Sequence, residues 1–173
     1  MPGLATRDPN NLLIQQADSS VVDVGLEAGR AEMARSRGGV VADFNLDGRL
    51  DIGVMNRRAP FEIYENRSQN TGNYLSIRLT QPGPNTKAVG AWIELRLDNG
   101  KPALAQELTI GGGHASGESG PVHFGLSTFE QAQIRVIWPD GDISNWLTID
   151  ANQLIEISPM ADGKLQIAKL VGY

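Results

Sequence analysis

The run Asp43-Phe44-Asn45-Leu46-Asp47-Gly48-Arg49-Leu50-Asp51 constrains this chain more than any other stretch, because hard oxygen donors recur there at alternate positions around a glycine. This is the pattern of a calcium loop. Asp43, Asn45, Asp47 and Asp51 fall at loop positions 1, 3, 5 and 9, the Arg49 carbonyl falls at position 7, and Gly48 supplies the sharp turn. Three carboxylates and an amide suit a hard cation, so Ca2+ is the expected ligand. An EF-hand is excluded, since it needs a bidentate Glu at position 12, where this chain has Val54. Gly39-Val40-Val41-Ala42 before the loop and Leu50-Asp51-Ile52-Gly53-Val54-Met55 after it are rich in β-branched residues and glycine, which predicts strand, loop, strand. The competing reading is a solvated Asp/Asn/Gly turn without metal; four donors in register with no Lys among them favour the metal. Calcium would be structural. It would neutralise mutually repelling carboxylates and fix strands anchored by Val41 and Ile52.

The rest of the chain must supply the core. At 173 residues, 40% hydrophobic and 20% charged, it is long enough for one domain or for a domain with a smaller attached unit. Net charge is -5 and the basic residues are scattered, so no nucleic acid partner is expected. The absence of cysteine removes disulfides, thiolate metal sites and a cysteine nucleophile. No apolar run approaches the roughly 20 residues of a membrane helix, and Met1-Pro2-Gly3 does not begin a signal peptide, so no membrane insertion is expected.

Residues 1–10 are a frayed lead-in. Asn11-Leu12-Leu13-Ile14-Gln15 and Ser20-Val21-Val22-Asp23-Val24 predict a hairpin, and residues 25–37 suit a short helix or a loop equally. Phe61-Glu62-Ile63-Tyr64-Glu65 is a further strand, about one propeller-type repeat, roughly 50 residues, after the first. From Tyr74 the grammar changes to alternating strands, Leu75-Ser76-Ile77-Arg78-Leu79 and Ala91-Trp92-Ile93-Glu94-Leu95-Arg96-Leu97. Asp98-Asn99-Gly100-Lys101, Pro139-Asp140-Gly141-Asp142 and Ala161-Asp162-Gly163-Lys164 each sit between two β runs and predict hairpins. The fold class is therefore all-β: partial propeller blades over residues 11–72, then an antiparallel sandwich or barrel-like domain over residues 73–173.

These residues carry a resemblance. Residues 39–56 resemble an FG-GAP or VCBS propeller repeat with its calcium loop. Asn73-Tyr74-Leu75, Val89-Gly90-Ala91, His123-Phe124-Gly125-Leu126, Trp138-Pro139-Asp140-Gly141 and Asn152-Gln153, in that order, are similar to the ASPIC/UnbV domain of cartilage-acidic-protein-like secreted proteins. The resemblance spans residues 11 to about 158 and implies an extracellular or periplasmic, calcium-binding, adhesion-type module, the C-terminal part of a longer secreted protein. Two features depart from the family. The chain begins inside a repeat, and Gln16-Ala17-Asp18-Ser19-Ser20 lacks the glycines common in that turn.

In Gly111-Gly112-Gly113-His114-Ala115-Ser116-Gly117-Glu118, His114, Ser116 and Glu118 offer the residue types of a triad, but neighbours on a glycine run are not held in triad geometry. The loop also lacks the Lys of a phosphate-binding loop and leads into a strand. His123 reads as structural, Asp140 and Asp142 as turn residues, and Trp92, Trp138 and Trp146 as strand residues in the core or at its rim. The expected function is calcium-stabilised, non-catalytic binding of a protein or surface ligand. The rival is an accessory or biosynthetic enzyme using the glycine-rich His/Ser loop. Alternating Leu12, Ile14, Val22 and Val24 leave an apolar stripe that favours a homodimer through the truncated repeat.

Overall fold

The computed structural model describes residues 10–16, 18–29, 36–98, 103–112 and 117–170. Thirteen strands and one three-residue 3-10 turn, Ala161–Gly163, account for the regular structure among them, so the all-β class holds. Four sheets form. Strands β1 (Leu13–Gln15) and β2 (Val21–Asp23) make the expected hairpin. Strands β3 (Ser36–Ala42), β4 (Asp51–Asn56) and β5 (Glu62–Tyr64) make an antiparallel three-stranded sheet, with the acidic loop connecting β3 to β4. Residues 25–29 form a turn; residues 1–9 of the expected lead-in, residues 30–35 and, apart from Asp98, the predicted turn Asp98-Asn99-Gly100-Lys101 lie outside the described residues.

The remaining strands are β6 (Asn73–Leu79), β7 (Trp92–Arg96), β8 (Leu104–Glu107), β9 (Val122–Ser127), β10 (Gln131–Ile137), β11 (Leu147–Asp150), β12 (Gln153–Pro159) and β13 (Leu165–Leu170). They form two four-stranded sheets, ordered β11-β10-β7-β8 and β13-β12-β6-β9. The alternation read from the sequence is what buries them. Leu75, Ile77 and Leu79 of β6, with Phe124 and Leu126 of β9 and Ile155 and Ile157 of β12, share one core with Ile93, Leu95, Ile134 and Val136 of the other sheet. Each fully buried aliphatic side chain of this kind contributes roughly 1.5–3 kcal/mol. The intervening residues Tyr74, Ser76 and Arg78 fall on the opposite face of β6, where they meet the acidic loop.

Three local expectations are corrected. β6 and β12 pair in parallel, Ile77 opposite Ile155, within sheets otherwise antiparallel; β12 has its hairpin partner β13 on its other side, and β6 has β9. Ile143-Ser144-Asn145-Trp146 is not a strand: Ile143 makes a single bridge to Ile137, and the buried Ser144 hydroxyl accepts the Val136 amide at 2.9 Å and donates to the Asn145 carbonyl. Trp138 is buried just beyond β10, and Trp146 precedes β11, where the guanidinium groups of Arg96 and Arg135 lie 4.1 and 4.8 Å from its ring centroid; of the tryptophans only Trp92 is in a strand.

The β3–β5 sheet is held differently from the rest. Its fully buried side chains are polar, Asp51 and Asn56, whereas Val41, Met55 and Ile63 are exposed. The anchoring expected of Val41 and Ile52 is thus done by hydrogen bonds. Asp51 accepts the Asn66 and Phe44 amides at 2.7 and 3.2 Å, and Asn56 accepts the Ser36 hydroxyl and donates to the Pro60 carbonyl. Buried polar groups are tolerated because each finds a partner.

Candidate functional site

The acidic loop is built from side-chain-to-backbone hydrogen bonds. Asp43 accepts the Asp47 and Gly48 amides at 3.0 and 2.7 Å, Asn45 accepts the Asp47 amide at 3.2 Å, and Asp47 accepts the Arg49 amide at 2.9 Å. These are the turns that Asp and Asn form with amides a few residues on. Leu46 and Gly48 take left-handed conformations, φ 60° and 85°, to close the loop.

All five residues singled out from the sequence lie in this one loop, and their chemistry, hard oxygen throughout, suits a hard cation. Their arrangement is less favourable. Asp43 and Asn45 converge on the Asp47 amide, but the second oxygen of Asp47 faces the Arg49 guanidinium at 2.5 Å and the Asn45 amide at 2.9 Å, and both oxygens of Asp51 are engaged inward. Accordingly, no three His, Cys, Asp or Glu side chains gather around a common metal position among the described residues. Arg49 is the residue the sequence reading missed. Counted there only for its carbonyl, it places a guanidinium on Asp47 and donates through Nε to the Asn66 carbonyl at 2.7 Å. Neighbouring groups desolvate the Asp47 carboxyl, which would raise it, but the Arg49 and Asn45 hydrogen bonds and the Arg49 charge outweigh this and leave it below the usual carboxylate value.

The loop docks on the outer face of β6 and β9. A Cβ added at Gly48 would lie 2.1 Å from Tyr74 Cε1, so the bare glycine rests on the Tyr74 ring. The same ring stacks on His123, centroids 5.5 Å apart and planes within 8°. Through Tyr74, Gly48 and His123 belong to one continuous contact that joins the acidic loop to the eight-stranded part of the molecule. Gly48 is needed twice, for its positive φ and for this approach.

Beside the stack lies a cleft of about 580 Å3, its walls including Asp43, Leu46, Tyr74, Ser76, Arg78 and His123. The Ser76 hydroxyl is 2.9 Å from His123 Nδ1. Burial lowers the His123 pKa and the nearby Asp43 charge partly restores it; burial, then Asp43 and Asp47, raise that of Tyr74. A hydroxyl, an imidazole and a carboxylate thus approach one another, as a nucleophilic triad requires. Yet Asp43 makes no hydrogen bond to His123 and is spent on loop amides, and Ser76 is only 6% exposed. The geometry is that of a docking contact. Of the triad types named from the sequence, His114 and Ser116 lie outside the described residues, and Glu118 lines the same cleft. Ser76 and His123 are brought together by the β6–β9 pairing, a signal absent from local spacing.

Residues 81–164 match the family model described as ASPIC and UnbV. Cartilage acidic protein 1 of Mus musculus is 29% identical over 139 residues, covering 76% of this chain and 21% of that protein. The Homo sapiens protein of the same name is 29% identical over 129 residues, 71% of this chain and 19% of its own length. That of Xenopus tropicalis is 30% identical over 115 residues, 63% and 17%. The chain spans about a fifth of the length of these curated relatives. Strands β7 to β12 therefore lie in the region that matches the ASPIC and UnbV model, within a chain similar to cartilage acidic protein 1.

Proposed function

We propose that this chain is a calcium-stabilised, non-catalytic extracellular module of adhesion type that binds a protein or surface ligand, with β3–β5 as an FG-GAP/VCBS-type blade fragment leaning on a two-sheet sandwich. The observation that carries the reading is the docking of Gly48 on the Tyr74–His123 stack, which commits the acidic loop to holding two parts of the molecule together. Asp43, Asn45, Asp47, Asp51 and the Arg49 carbonyl would hold Ca2+, which supplies the divalent charge that offsets their mutual repulsion. For Asp47 to take part, Arg49 must release it. Similarity to cartilage acidic protein 1 supports the extracellular location. Neither nucleic acid nor membrane insertion is part of the proposal, and no helix among the described residues is long and apolar enough to cross a membrane. The deciding experiment is calorimetric titration of the chelator-treated chain with calcium, alongside Asp43→Ala. Saturable heat absent from the variant supports the reading; no heat from the parent chain rejects the metal.

Two chains pairing through β1 and β2 is part of the same proposal, supported by Leu13, Ile14, Val21 and Val22, all exposed there. Light scattering across a concentration series tests it, and a monomer throughout rejects it. A second reading, an accessory enzyme, is favoured by the Ser76–His123 pair at the cleft rather than by the glycine-rich loop. Ester turnover lost on Ser76→Ala would support it.

A further inference from the structure

We propose that a second cavity, about 370 Å3 and bounded by the end of β6 and by residues 86–89, 108–110 and 119–120, binds a small organic oxyanion: a carboxylate or sulfate head carried on a short apolar body. The volume falls within the range of small-molecule sites, about 300–1,000 Å3. Its polar lining is Arg78, Lys87, Thr80, Thr86, Thr109 and Ser119, cations and hydroxyls without one carboxylate, in a chain where Asp and Glu outnumber Lys and Arg by 20 to 15. Such a lining presents donors to an anion and nothing that repels it.

Arg78 is the main feature. It is half-buried, and among the described residues it makes no ion pair, although Glu156 is its cross-strand neighbour. A guanidinium carries five N–H donors and no acceptor, and planar oxyanions satisfy them in pairs. Lys87 stands at the rim, donating to the Ser119 hydroxyl at 3.2 Å, which leaves further ammonium protons to share. The remaining wall is apolar: Val89, Leu108 and Ile110 offer a floor for a hydrocarbon but no partner for a second charge. A head group on Arg78 and Lys87 with its chain on that floor uses both halves of the cavity. The calcium loop contributes no residue to this lining, and Arg78, which also borders the first cleft, is the one residue the two cavities share.

The test is an amide-resolved NMR titration of the whole chain with hexanoate, hexyl sulfate, inorganic sulfate and, as the cationic control, hexylamine. The expected result is saturable shifts confined to residues 78–80, 86–89, 108–110 and 119–120 with hexanoate or hexyl sulfate. Hexyl sulfate should bind tighter than inorganic sulfate by about fourfold for each methylene that reaches the floor. Arg78→Gln should weaken binding at least tenfold, and the exposed Lys87→Gln, which leaves the core untouched, should weaken it severalfold if the first variant fails to fold. The proposal is overturned by no saturable shift with either hexyl anion, by hexylamine binding as well as hexanoate, by equal affinity for sulfate and hexyl sulfate, or by folded variants that bind as the parent does.

Discussion

Replacing Gly48 with alanine tests whether the acidic loop is fastened to the body of the molecule through Tyr74. Gly48 has φ 85°, and its missing Cβ would stand 2.1, 2.4 and 2.8 Å from three atoms of the Tyr74 ring. The substitution therefore carries two separable costs. A Cβ in left-handed backbone costs roughly 1–2 kcal/mol, and forcing an extra carbon into a closed contact costs about 1–3 kcal/mol. The expected loss is about 2–5 kcal/mol from the two together. Gly83 supplies the control, with φ 92° and nothing within 4 Å of its added Cβ, so Gly83→Ala should show only the backbone part. Urea unfolding of the three proteins gives the difference directly. Hydrogen exchange at the Asp47 and Gly48 amides, which donate to Asp43, reports whether the loop lifts off before the whole molecule unfolds. In a Tyr74→Ala background the cost of Gly48→Ala should fall to the Gly83→Ala level, since the ring it strikes is gone. Equal losses for Gly48→Ala and Gly83→Ala in the parent chain would refute the docking argument.

Asp51→Ala should destabilise by about 2–4 kcal/mol in urea melts, because it strands the Phe44 and Asn66 amides that the buried carboxylate accepts, whereas Asp142→Ala at an exposed turn should change stability by less than about 0.5 kcal/mol. Calcium at about 100 times its Kd should add about 2.7 kcal/mol by linkage; differential scanning calorimetry should show the matching rise in Tm, absent from Asp43→Ala and Asp47→Ala. Arg49→Met keeps the position-7 carbonyl but removes the cation facing Asp47, so it should tighten calcium binding; weaker binding would show that the guanidinium props the loop open instead. Burial holds the His123 imidazole below its ordinary range in the folded chain, so the unfolded chain binds more protons just below that range. Its contribution is complete above about pH 6.5 and lost as pH falls toward the lowered folded value, and His123→Phe, which preserves the stack, should flatten that part of a stability-versus-pH curve.

The sequence alone determined the periods and the punctuation. Alternation in Leu75-Ser76-Ile77-Arg78-Leu79 assigns Leu75, Ile77 and Leu79 to one face, because side chains on a strand point to opposite sides in turn. Asp-Gly pairs marked two turns, at Gly141 and Gly163, and both adopt the positive φ that glycine permits. The acidic loop was legible for the same local reason, as Asp43, Asn45 and Asp47 accept amides only two to five residues away. Tertiary structure decided what periodicity leaves open. A strand's pattern says which face is buried but not which strand lies beside it, so the parallel β6–β12 pair and the Ser76–His123 contact appear only in the assembled sheet. It also reversed the anchoring of the small sheet: Val41 looks like core and is 46% exposed, while the charged Asp51 is buried because two backbone amides meet it there. Gly48 shows both levels in one residue. Its turn is local and readable, but its contact with Tyr74 exists only because the sheet brings that ring to the loop.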